Sequence, residues 1–507
     1  MATQRKKNYE TAEDVLDGLD PEQKKAAMAT RGPVAIIAGA GTGKTRTITH
    51  RIAYGCRADN WIASEVLAVT FTAKAAKEMK ERLEKLGISG TNVYTFHAAA
   101  LKQVRQFWPK VVGTKAPKLE TSRTKYVVQA AKSLNIEIEL WEAKLIADEI
   151  SWAKVSLIAA KDYPENAELM DREILSQVDL GAKTSEQIAR IYDEYDIIKS
   201  EAGVIDFEDV MLLMIHLIQT KPLVAKEIRD QYKHIIVDEY QDVSPLQEIM
   251  LECWLGKSRE ICVVGDPSQT IYSFTGASAH YLLGFEDRFT PKRSSEQEVR
   301  KVELISDYRS SPQIVALANK ILSKRGKAGY RPLKLISKAE NRGVEVSWKE
   351  YNSDFEEAQK IAEQIKHYIL KNIFQPKEIA ILVRTNSSCR DFETALKSEK
   401  IPYLLKQELP QNENLPDSND LNRVTIASLH SSKGLEWDCV FLAGLSDGKM
   451  PIVRARTDLA IEEERRLLYV GVTRAKEKLI MSYSLSKQGI TNHPRKYSRF
   501  LNGIWGK

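Results

Sequence analysis

Three short segments of the chain hold side chains that can manage phosphate groups. In PVAIIAGAGTGKTRTITHRI an apolar run, Val34 to Ile37, meets a glycine-rich turn and then a segment with helical spacing. Gly39, Gly41 and Gly43 let such a backbone turn tightly and aim successive N–H groups inward. Lys44 can then reach terminal phosphates and the Thr45 hydroxyl can ligate magnesium. The match reads A-x-x-x-x-G-K-T, with Ala38 where the strict phosphate-loop pattern has glycine. A nucleoside triphosphate site is expected at Ala38, Gly39, Ala40, Gly41, Thr42, Gly43, Lys44, Thr45 and Arg46.

HIIVDEYQDVSPLQ supplies acidic partners. Ile235, Ile236 and Val237 read as a buried strand that delivers Asp238 and Glu239 to its carboxyl end, where ligands lie in open α/β sheets. One carboxylate can hold Mg²⁺; its neighbour can orient and deprotonate water. In ICVVGDPSQTIY a further strand ends at Gly265 and Asp266, which puts Gln269 where a side-chain amide can sense a γ-phosphate.

These groups need well-made domains to hold them. A chain of 507 residues exceeds a single core, and 43% hydrophobic with 28% charged residues describes an ordinary globular protein of two to four domains. No apolar run is long enough to span a bilayer, and no apolar stretch follows the basic residues of MATQRKKNYETAEDVLDGLD, so a cytoplasmic protein without membrane partners is expected. The five cysteines are scattered, with no C-x-x-C pair, and are expected to be reduced and mostly buried. A net charge of +6 is compatible with a polyanion partner without requiring one.

The motif set and its order resemble superfamily-one helicases of the UvrD, Rep and PcrA type, from about Leu19 to Leu501. LDPEQKKAA matches the segment whose Gln23 would read the adenine edge, and DYRSSPQIV carries Tyr308 to stack on adenine and Arg309 to touch the γ-phosphate. AVTFTAKAAKEMKERL and VYTFHAAAL match DNA-contacting motifs, and IASLHSSKGLEWDCVFLAGLSDGKMP with EEERRLLYVGVTRAKEKL completes the series. RTITHRIA, TFHAAAL, TIYSFTGAS and SRFL are most similar to a second, actinobacterial branch of the family. The resemblance implies ATP and Mg²⁺ as cofactors, with Thr45 and Asp238 on the metal and Glu239 as the base. It also implies Arg309 and Arg474 as arginine fingers from the second half, and Glu436 in the nucleotide site. A finger of this kind is worth roughly 10³ to 10⁵ in rate, and placing it on another domain turns domain closure into a stroke.

The implied track is single-stranded DNA and its junctions with duplex, met by Phe71, Thr72, Lys74, Thr95, His97, Tyr272, Phe274, Arg384 and His430. Aromatic stacking there is sequence-tolerant and worth about 1 to 3 kcal/mol per base. The family usually writes its third motif Tyr-x-Trp-Arg-Gly-Ala; here it is YSFTGA, with Phe274 for tryptophan and Thr275 for arginine. Stacking is kept and the charge link from DNA to nucleotide is put in question.

An α/β fold follows: two RecA-like phosphate-loop domains with parallel sheets. The first comprises residues 1–100 and 205–300, interrupted by a helical subdomain over 101–204. Ile146, Ile150, Ala153 and Leu157 form one helical stripe there, and Ile188, Ile191, Tyr195 and Ile198 another behind the capping pattern Thr184-x-x-Gln187. The second comprises 301–405 and 423–507, with strands at Ile379–Val383, Val424–Ala427, Cys439–Leu442 and Leu479–Ser482. Between IPYLL and VTIASLH the family carries a large mobile subdomain, where this chain has only Lys406 to Asn422. A flexible coil of that length spans roughly 20 to 25 Å, a bridge across a missing domain. By the same resemblance, the extra nucleic-acid-binding or cysteine-rich tail of parts of that branch is not expected after RFLNGIWGK.

The expected function is an ATP-dependent 3′ to 5′ DNA helicase or translocase serving repair or replication in the bacterial cytoplasm, at the nucleoid. Two other readings are a translocase that strips proteins from DNA without unwinding, and an ATP-gated DNA-binding subunit of a repair or defence complex. The latter leaves room for protein partners.

Overall fold

The structure is a computed structural model that describes residues 10–181, 183–292, 297–324, 330–339, 346–406, 422–487 and 494–505. The chain divides into two compact units. The first takes Met1–Ile36, Thr45–Val264 and Tyr272–Val302; the second takes Ile37–Lys44, Gly265–Ile271 and Glu303–Lys507.

The six-stranded sheet of the N-terminal half runs, edge to edge, Asn92–Thr95, Val66–Thr70, His234–Val237, Ile261–Gly265, Val34–Ala38 and Arg300–Leu304. Val66–Thr70 pairs in parallel with both neighbours, and His234–Val237 pairs in parallel with Ile261–Gly265. VLAVT and ICVVG are buried at every residue, as parallel strands covered on both faces require. The expected strand before Asp238 is therefore present, as His234–Val237.

The stretch between Phe96 and Ile205 is mostly helical in its described residues. Helix Phe96–Val112 runs through residue 100, where the sequence suggests a domain boundary. Helices Thr124–Ser133, Leu140–Val155 and Thr184–Glu201 share a core that contains Ile146, Ile150, Ala153, Ile188, Ile191 and Tyr195, with Ile198 packed against it. Leu157 departs from its expected stripe: the helix ends at Val155, and Leu157 turns to φ +60° and is 39% exposed. The Thr184–Gln187 capping box does not form either. Thr184 is the first helical residue, and the turn before it takes up its hydroxyl, which accepts from Leu180 N–H and donates to Gly181 O.

The second unit holds a sheet ordered Val346–Tyr351, Ala475–Ser484, Trp437–Leu442, Ile379–Val383, Val424–Ser428 and Tyr403–Lys406. All five of its pairings are parallel. The two halves are thus α/β with parallel sheets, as expected. Ile379–Val383 ends where the sequence places it, and the other expected strands are each longer. Helices Asp354–Leu370 and Cys389–Ser398 cover one face through Ile361, Ile365, Phe392 and Leu396. Lys406 belongs to the edge strand, opposite Ala427, rather than to the connection; residues 407–421 of the expected bridge lie outside the described residues. Among the described residues the cysteines are all free, four of them buried, and no helix is long and apolar enough to cross a membrane.

Candidate nucleotide site and nucleic-acid interface

In the first unit, Asp238 follows strand His234–Val237 and is buried, 3% exposed. Its Oδ2 lies 3.4 Å from the Thr45 hydroxyl on helix Lys44–Ala58, and its Oδ1 accepts from Glu239 N–H at 2.9 Å. A hydroxyl and a carboxylate converging in this way are the hard oxygen donors that Mg²⁺ prefers, so the residues fit that ion. Glu239 takes a left-handed backbone, φ 51° and ψ 37°, before the 3₁₀ turn Tyr240–Asp242. Strain of this kind typically costs about 1–3 kcal/mol and gathers at functional sites. Its Oε2 accepts from Gln241 Nε2 at 2.6 Å.

Gln23 is buried on helix Pro21–Met28, where its Oε1 accepts from Asp20 N–H while Asp20 Oδ1 accepts from Gln23 N–H. A reciprocal cap therefore fixes the amide. Arg46 is exposed and donates to Gly18 O at 2.9 Å.

The expected nucleic-acid residues of this unit stand at element ends. Phe71 is half-buried, edge-on to the buried Phe96 ring at 6.2 Å, and Phe96 in turn stacks on Trp254. Thr72 and Thr95 cap helices Ala73–Lys85 and Phe96–Val112 by accepting from Ala75 and Ala98 N–H, so each carries a structural duty. Lys74 is exposed on the first turn. Tyr272 and the half-exposed Phe274 are neighbours at 6.1 Å, and Thr275 is exposed with its hydroxyl donating to Tyr272 O. His97 sits edge-on to Phe207 at 6.0 Å, and among the described residues its buried Nε2 has no hydrogen-bond partner. Burial depresses the imidazole to about 4, against the opposing pull of Asp206.

In the second unit, Thr42 Oγ1 donates to Gly39 O and stiffens the phosphate loop. Gly41, at φ +70°, leaves no room for a side chain, because a Cβ would stand 2.2 Å from Asp307 Oδ1. Ala38 and Ala40 are buried. Gln269, also buried, donates its Nε2 to Asp266 Oδ2 at 2.8 Å. Burial raises Asp266, against Lys44 and that amide.

Tyr308 is 48% exposed, and its N–H donates to Gly41 O. Arg309 pairs through Nε with Glu436 Oε2 at 2.5 Å. Burial pushes Glu436 up, but Arg309 and Lys476 outweigh it and hold the carboxyl below its ordinary range. Arg474 is 2% exposed and donates to the carbonyls of Val470 and Leu435 and to Thr473 Oγ1. Arg384 is clamped by Glu464: its Nε is 2.9 and 3.0 Å from the two carboxylate oxygens. His430 lies in the turn His430–Ser432, held neutral near 4 by burial and by Arg384 and Lys433.

Four partners escaped the sequence reading. Glu464 is one, and a signal was present, since it stands four residues before the buried Leu468 on the core side of helix Asp458–Val472. Tyr469 is another: fully buried, its hydroxyl 3.4 Å from Asp266 Oδ2. Asp307 accepts the N–H groups of Arg309 and Ser310. Tyr330 donates to Ser268. Nothing in the local pattern singles out the last three.

This loop, these strand ends and these arginines define a phosphate-loop protein of two parallel α/β halves. Comparison with known proteins gives the family. The UvrD/REP helicase N-terminal domain model matches residues 19–290, and the UvrD-like helicase C-terminal domain model matches in two pieces, 302–410 and 404–486. The chain belongs to the UvrD/Rep helicase family. It is 36% identical over 592 aligned positions to the ATP-dependent DNA helicase UvrD2 of Mycobacterium tuberculosis, covering 97% of this chain and 82% of that protein. Against a 507-residue chain, 592 positions leave at least 85 with no residue here. The ATP-dependent DNA helicases UvrD1 of M. tuberculosis and PcrA of Leuconostoc citreum are 30% and 29% identical over 77% and 78% of this chain. Those matches span half of each relative.

Proposed function

We propose that the chain is an ATP- and Mg²⁺-dependent motor that moves 3′ to 5′ along single-stranded DNA and opens duplex at junctions, in bacterial DNA repair or replication. The observation that carries this reading is the convergence of Thr45 and Asp238 at the end of strand His234–Val237, with Glu239 next to them. In the reading, Thr45 and Asp238 hold Mg²⁺, which would neutralise phosphate charge when bound. Glu239 takes a proton from the attacking water, Gln269 senses the γ-phosphate, and Lys44, Arg309 and Arg474 offset the charge that develops on it. Tyr308 and Gln23 hold the adenine. Phe71, Tyr272 and Phe274 stack on bases, and the DNA is met without sequence preference and with strong salt dependence. The protein would work in the cytoplasm at the nucleoid. The domain layout of this reading keeps a helical subdomain that begins within helix Phe96–Val112 and ends before Ile205, and a bridge after strand Tyr403–Lys406 in place of a large insertion.

A second reading, translocation that displaces proteins without useful unwinding, is favoured by the split of the C-terminal match at 404–410. A subdomain lost there removes a duplex contact. A strand-separation assay with 3′-tailed and 5′-tailed duplexes tests both. Opening of the 3′-tailed duplex alone supports the first reading, and ATP-dependent displacement of a bound protein without opening supports the second. Neither activity, with ATP turnover unaffected by single strands, refutes the motor.

A further inference from the structure

We propose that a partly buried cluster of two lysines and three aspartates in the first unit is the positioning device for the nucleic-acid face at His97, tying the helical segment to it. The proposal rests on reading His97 as a DNA contact. Lys154, near the end of helix Leu140–Val155, reaches Asp196 Oδ1 at 2.7 Å, Asp206 Oδ2 at 3.0 Å and Asp209 Oδ1 at 2.7 Å. Lys199, on helix Thr184–Glu201, meets the same three carboxylates: Asp206 Oδ2, Asp209 Oδ2 at 2.5 Å and Asp196 Oδ1 at 3.2 Å. Both lysine side chains and that of Asp206 are at most 3% exposed. The Tyr195 hydroxyl donates to Asp206 Oδ2 as well.

The cluster touches the DNA face through one short path. Asp206 caps helix Phe207–Thr220, accepting Asp209 N–H at 2.9 Å, and the next residue, Phe207, sets its ring against His97. That helix packs along Phe96–Val112, whose first turn carries His97 behind the Thr95 cap. Two helices of the insert, each through one lysine, thus hold the cap that supports the histidine.

Apolar packing of the same volume often stabilises as well as a buried ionic cluster or better, while an ionic cluster admits few geometries. What these five side chains supply is a fixed angle between insert and helix cap. His97 Nε2, buried and without a partner among the described residues, needs that angle held if it is to meet a ligand atom. Removing a link in the cluster should therefore alter how DNA is met more than how ATP is turned over.

The test uses the full chain, a fluorescent oligo(dT) strand, and ATPase measured across oligo(dT) concentration for wild type, Lys154→Met, His97→Ala and the double variant. Lys154→Met is expected to raise the half-saturating oligo(dT) concentration about 3- to 30-fold, with turnover at saturating DNA within about twofold. The double variant is expected to lose less than the product of the two single losses, because the lysine acts through the histidine. Asp209→Asn, at a more exposed partner, carries the same readout if Lys154→Met does not fold. An unchanged half-saturating concentration in a folded cluster variant, with His97→Ala weakened, overturns the proposal alone. An unchanged His97→Ala overturns the reading of His97 and the proposal with it.

Discussion

Both halves are built on a six-stranded sheet, yet they hold groups of opposite charge. At the end of His234–Val237 the first presents carboxylates: Asp238 angled at the Thr45 hydroxyl, and Glu239 on a strained backbone. The second unit presents guanidinium groups, each already held. Arg384 is clamped by Glu464, Arg309 is paired with Glu436, and Arg474 is buried among carbonyl oxygens. One half thus brings carboxylates beside a hydroxyl, and the other holds fixed positive charge. The two folds are similar, so the residues they carry, not the architecture, distinguish the halves.

The sharpest way to break this division is Arg309→Ala. If the second unit supplies the charge that meets the γ-phosphate, DNA-stimulated turnover should fall roughly 10³- to 10⁵-fold. Stability should barely change, since the pair is partly exposed and such pairs contribute little. Thermal melting together with steady-state ATPase measures both. Arg474→Ala should differ by lowering stability as well, by up to about 1–3 kcal/mol, because the partly buried Leu435 carbonyl loses a donor, while Val470 O keeps the Thr473 hydroxyl. Normal turnover in Arg309→Ala would remove Arg309 from the chemistry.

Next in size is Phe71→Ala, expected to weaken oligo(dT) binding by about 1–3 kcal/mol with basal ATPase intact, read by fluorescence anisotropy. Loss of folding would instead assign the ring to the Phe96 and Trp254 stack. A smaller effect comes from pH. His97, His234 and His430 are depressed to about 4, first by burial; Asp206 opposes at His97, Arg51 and Arg31 add at His234, and Arg384 and Lys433 add at His430. The unfolded chain binds these protons near 6.5, so the folded state gives up stability as pH falls from about 6.5 toward 4 and holds it above 6.5. Urea midpoints at pH 7 and pH 5 should show the drop, and His97→Phe should reduce it. The least effect is expected from replacing Leu409 to Leu421 by a Gly/Ser segment of equal length. If the stretch is the bridge that the sequence suggests, DNA-stimulated ATPase should stay within about a factor of two, as substitutions away from special features usually contribute under ~0.5 kcal/mol each. A silenced ATPase would make that stretch a working part.

The acidic strand end and the phosphate loop were legible because fully buried parallel strands show as unbroken apolar runs that stop at a polar residue. Ile235 to Asp238 is such a case. What joins the site across the chain was not legible. Arg384 and Glu464 are 80 residues apart, and Asp266 and Tyr469 are 203 apart, so no local spacing announces either pair. Leu157 was misplaced for a different reason. Its spacing fits the stripe, but a left-handed residue after Val155 ends the helix, and leucine gives no hint of that conformation.

Glu239→Gln tests the central claim most directly, because the amide keeps the shape and cannot take a proton. Measured side by side, fluorescent-nucleotide binding and single-turnover hydrolysis with oligo(dT) should separate. Binding of Mg-ATP should stay near the wild-type level, and hydrolysis should fall by at least about 10²-fold. Hydrolysis at the wild-type rate would contradict the assignment of the base to the first unit's strained strand end.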